Sequence, residues 1–78
     1  MSEEAKLRQE LQDLDRRREQ LDRRIADAVH KQRHGTAPAV LEEARNEERS
    51  LLVEMDRLMT RTRAVEGKLL QLQKSSPH

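Results

Sequence analysis

Apolar residues recur through the first half of the chain at Leu7, Leu11, Leu14, Leu21, Ile25 and Ala28. Their spacing of four and three puts them on one side of a helix and defines a heptad. Its a positions are residues 4, 11, 18, 25 and 32, and its d positions are 7, 14, 21 and 28. The second half repeats the pattern. There a falls on Leu41, Glu48, Met55, Thr62 and Leu69, and d on Ala44, Leu51, Leu58, Val65 and Leu72. Arg18, Glu48 and Thr62 are polar interruptions of the seam, a device that often fixes register at some cost in stability. The pattern predicts an all-α chain.

The two runs are separated by Arg33-His34-Gly35-Thr36-Ala37-Pro38. Gly35 is expected to close the first helix in the left-handed conformation, and Thr36 to cap the second. Pro38 suits a first helical turn, whose amides need no intrahelical partner. At the start, Ser2 followed by Glu3 and Glu4 reads as a helix beginning with acid at the positive end of the dipole. The expected organisation is one unit: a helix over about 3–33, a turn over about 34–37, a helix over about 38–73 and a flexible tail at 74–78.

Folding the second helix back on the first makes g residues face g residues and e residues face e residues. Centred near Thr36, this pairs Glu3 with Lys68, Glu10 with Arg61, Arg17 with Glu54, and Arg24 with Glu47. All four matches are opposite in sign, which favours a two-helix antiparallel coiled-coil hairpin over a continuous rod. Arg17, Arg18, Arg24, Glu47, Glu48 and Glu54 are the expected register-setting residues.

The e edge reads differently. The same register sets Arg8 against Glu66, Met59 against Asp15, Leu52 against Asp22, and Val29 against Arg45. Leu52 and Met59 thus widen the apolar stripe beyond a strict two-position seam and have no apolar counterpart across it. A helix from a partner, or a second hairpin completing a four-helix bundle, would cover them. Leu69, Leu70 and Leu72, at the open end where the second helix outlasts the first, are a further candidate contact. Val29, Leu52, Met59, Leu69, Leu70 and Leu72 form the expected partner-binding set.

Composition narrows the function. The chain has 78 residues, 40% of them charged, and no Phe, Tyr, Trp or Cys, so thiol chemistry and aromatic base-stacking platforms are excluded. Its net charge of +1 gives no general field for nucleic acid or anionic membrane. Arg16-Arg17-Arg18 and Arg23-Arg24 look basic in a linear scan, but on a helix they spread over several faces. A basic-tipped hairpin entering a nucleic-acid or polymerase channel is therefore the weaker alternative. The longest apolar run, Leu51-Leu52-Val53, is far too short for a membrane span, and the opening residues do not resemble a secretory signal. A cytoplasmic chain is expected. His30 and His34, with Glu42 or Glu43 across the turn, have a spacing that a metal could use, but solvated surface histidines are the simpler reading. No catalytic, cofactor-binding or metal residues are assigned, and the chain is read as a non-enzyme.

Two long helices about a Gly-containing turn are similar in layout to the small needle-subunit co-chaperones of type III secretion. The layout also resembles the N-terminal hairpins of transcript-cleavage factors and the Rho-binding hairpins of some kinases. The tip here is Lys31-Gln32-Arg33-His34, where the cleavage-factor hairpins carry acid, and helix one has no Lys-Glu-Gly-Ala-type motif. No family is assigned. The sequence points to a protein-interaction module (an adaptor, co-chaperone or regulatory subunit) taking a partner helix along the Leu52/Met59 stripe. A structural homo-oligomerisation element is the alternative.

Overall fold

The computed structural model describes residues 2–75. Helix α1 runs Glu3–His34 and helix α2 runs Pro38–Ser75; they pack antiparallel along their length into a rod of 62 × 16 × 16 Å. Helix α1 begins as its sequence requires. Ser2 is extended, and its hydroxyl oxygen accepts from the Ala5 amide at 3.1 Å, satisfying one of the four amides a helix start leaves open. Helix α2 continues two residues beyond the expected 73, so Lys74 and Ser75 are helical rather than part of a tail. The remaining expected tail residues, 76–78, lie outside the described residues.

The turn corrects two expectations. Gly35 is not left-handed: its φ of −74° and ψ of 143° are extended backbone. Its amide still donates to the Lys31 carbonyl at 2.7 Å. What requires glycine is proximity, because a β-carbon there would lie 2.5 Å from the Lys31 carbonyl oxygen and 3.2 Å from Leu41 Cδ2. The N-cap position of α2 falls on Ala37 rather than Thr36, since the Ala37 carbonyl accepts from the Leu41 amide at 3.1 Å. Pro38 stands at the first helical position, where its missing N–H and fixed φ cost nothing.

The core is a single file of side chains between the helices. Leu7, Leu21, Ala28, Ala44, Leu51, Val65 and Leu69 are buried, and Leu21 and Val65 are fully enclosed. Burying such a side chain contributes about 1.5–3 kcal/mol. Toward the open end Leu7, Val65 and Leu69 form one cluster, with Leu11, Leu14 and Leu72 packed against it. Toward the tip the buried pair is Ala28 and Ala44. Small side chains there leave backbone within reach of a neighbour: Gln32 Nε2 donates to the Ala28 carbonyl at 3.3 Å and, more weakly, to the Ala44 carbonyl of the facing helix at 3.5 Å.

Candidate helix-binding face

The two seam positions are not equally covered. Six of the nine d residues are buried, but only one of the ten a residues, Leu69. Leu11, Ile25, Leu41 and Met55 are half-buried, and Arg18 is exposed. The difference follows from what flanks each. On the d side, g residues reach across: Arg61 Nε and Nη2 donate to the two Glu10 carboxylate oxygens at 2.6 and 2.9 Å, and Arg17 is paired with Glu54. Their stems roof the d residues. The a side is flanked by e residues that do not close over it. The hairpin therefore has a closed d/g side and an open a/e side.

On the open side Leu11, Leu14, Asp15, Arg18, Met59 and Thr62 wall a groove of about 400 Å³. Arg18 stands there beside Met59 and Thr62. Among the described residues no carboxylate lies within 4 Å of Arg18. Thr62 turns its hydroxyl back on its own helix, donating to the Leu58 carbonyl at 2.9 Å, and so presents its methyl to the groove. A second hollow on the same flank, near the tip, is lined by Pro38, Leu41, Glu42, Arg45, Asn46 and Arg49.

The expected partner-binding residues divide. Leu52 is half exposed and Leu70 slightly more so; Val29 and Met59 are half-buried at e positions of the open flank. Leu69 belongs to the hairpin itself, buried against Leu7 and Val65, and Leu72 packs against that cluster. The longer α2 does not strand them, because Leu7 lies close enough to Leu69 to cover it. The open end therefore offers Leu70 alone of the three as exposed surface. Val40 and Val53 are exposed as well, but at g and f positions away from the open flank.

The register-setting residues divide too. Arg17–Glu54 and Glu10–Arg61 are formed, whereas Arg24–Glu47 and Glu3–Lys68 are not within 4 Å. Lys68 acts on Glu10 instead. The Glu10 carboxyl is held below the usual carboxylate range, first by the Arg61 hydrogen bonds, against some desolvation, and then by the charges of Arg61 and Lys68. Glu48 has a partner that the heptad pattern alone did not single out: Gln32 Nε2 donates to its carboxylate at 3.0 Å. Both are a residues near the tip. A layered reading of the seam, with each a of one helix beside a d of the other, would have placed Gln32 at the height of Ala44, one turn from Glu48.

Among the described residues no three His, Asp or Glu side chains gather as a metal-ligating group. The His30 and His34 rings lie 4.4 Å apart between centroids, tilted by 43°, above a shallow hollow completed by Lys31, Gly35 and Val40. No described helix is long and apolar enough to cross a membrane. Comparison with family models, with curated proteins and with solved structures finds no match.

Proposed function

We propose that this chain is a protein-interaction module whose a/e side receives a helix from another chain, as an adaptor, co-chaperone or regulatory subunit does. The observation that carries this reading is the unequal cover of the seam. A hairpin built to stand alone gains by roofing both sides with charged stems; here only the d/g side is roofed. The apolar set at a, d and e is the width a helix presents to the core of a bundle, rather than the narrower stripe of a two-stranded coil. Leu52 and Met59, at e, face Asp22 and Asp15 and cannot be covered by them. A helix laid into the groove would take Leu11, Leu14, Met59 and the methyl of Thr62 as its floor.

The test is the double substitution Leu52→Lys with Met59→Lys. Both lysines would face aspartates, so the hairpin should remain helical and melt at the same temperature or slightly higher. Recovery of specific binding partners by the tagged chain should be lost, while a control with Gln20→Lys and Asp27→Lys on the outer face of α1 keeps them. Unfolding of the double variant would place these residues in the hairpin's own core and end the proposal.

A further inference from the structure

Resting on that reading of the a/e side, we infer that its occupant is a second copy of this chain, laid antiparallel on the first to complete a four-helix bundle. The open face is nearly self-complementary under one two-fold axis. Place that axis across the rod midway between Leu52 and Met59. Leu52 of each copy then falls opposite Met59 of the other, and the four side chains form a central apolar patch. At equal distances on either side, Arg45 meets Glu66 of the second copy and Glu48 meets Arg63. Leu41 meets Leu70, so the exposed leucine near the open end covers the half-buried one near the tip. These matches all lie on α2, and every pair has the same midpoint in the sequence.

Helix α1 obeys the same axis. Its corresponding midpoint lies between Arg18 and Glu19, which sets Arg18, with no carboxylate within 4 Å among the described residues, opposite Glu19 of the second copy. Leu11 falls on Ala26, and Arg33 on Glu4. One match is like-signed, Asp15 with Asp22 of the second copy, and Arg18 stands between them. The parallel alternative lays α2 over α1 of the second copy at equal height. It sets Leu52 and Met59 on Asp22 and Asp15 and repeats the mismatch already present within the hairpin. Area is sufficient: a face of 62 × 16 Å offers on the order of 1,000 Å² per copy, within the range of stable interfaces. The two hollows also complement each other, since Glu66 beside the groove and Arg45 in the tip hollow exchange places across the axis.

Sedimentation of the full chain across about two decades of concentration is the first measurement. The expected result is a species of twice 9.2 kDa that dissociates on dilution. Arg45→Glu should weaken the dimer about tenfold or more, Glu66→Arg should do the same, and the two together should restore it. Spin labels on Thr36→Cys should read about 60 Å between copies, at 1.5 Å per residue, because the tips lie at opposite ends. A mass of 9.2 kDa at every concentration overturns the inference, as does a short tip-to-tip distance or a charge swap that fails to restore the dimer. A monomer whose partner recovery is still lost on Leu52→Lys with Met59→Lys refutes only the second copy as occupant. An unfolded double variant refutes the face itself.

Discussion

At the scale of single residues, the two glycines carry opposite predictions. Gly67 sits at an outward position with nothing within 4 Å of a would-be β-carbon, so it brings only the entropic cost of glycine in a helix. Gly67→Ala should raise stability by about 1 kcal/mol. Gly35 is hemmed in by the backbone of Lys31, which has no flexible end to yield, and Gly35→Ala should cost about 1–3 kcal/mol. Denaturant melts of both variants beside the parent check the pair, and equal effects would contradict the geometry of the turn. Sequence reading placed a glycine at the turn for the wrong cause. The rule that glycine closes helices rests on left-handed backbone, whereas the need here is steric and depends on where Leu41 and the last turn of α1 meet. Chain order alone does not show that.

At the scale of the two helices, charge matching along g was legible because opposite signs at a fixed separation leave a trace in the sequence. Which pairs close was not, because that depends on local competition: Lys68 contributes to the field at Glu10 rather than pairing with Glu3. The Glu10–Arg61 pair gives the hairpin a pH dependence. The folded-state pKa of Glu10 lies below its unfolded value, so its contribution is complete above the ordinary carboxylate range. It is lost as pH falls through the lowered folded-state value. Arg61 is displaced upward by the same bond and stays protonated throughout. Thermal melts from neutral pH downward should therefore show acid destabilisation that is shallower in Glu10→Gln. Superimposable pH profiles for parent and variant would remove Glu10 from the account. Gln32 and Glu48 show the limit of heptad reading at this scale. A polar a residue is visible as a departure, but its partner is not: layering sets Gln32 level with Ala44, and its side chain reaches one turn further to Glu48.

At the scale of the molecule, a hairpin of two helices was legible because periodicity, a Gly–Pro break and matched charges agree. The open a/e side was half legible. Leu52 and Met59 stood out by pattern, but the groove that Leu11 and Leu14 share with Met59, beside the polar Arg18 and Thr62, depends on how the two helices pack. Leu69 was expected as a partner contact at the open end; Leu7 buries it instead, because the reach of Leu7 along the seam is a property of packing. The same uneven seam has a mechanical consequence. Residues 2 and 75 emerge at one end of the rod, so tension between them peels the helices apart layer by layer instead of sliding one along the other. The first layers to bear load are those of Leu7, Val65 and Leu69, the apolar cluster at the open end. Beyond it come the polar positions Arg18 and Thr62, then the buried Leu21 and Leu51, and last the small Ala28 and Ala44 contact near the tip. Under load the hairpin therefore opens in steps: the outer cluster yields, the Leu21 and Leu51 stretch catches it again, and the alanine end near the tip parts last.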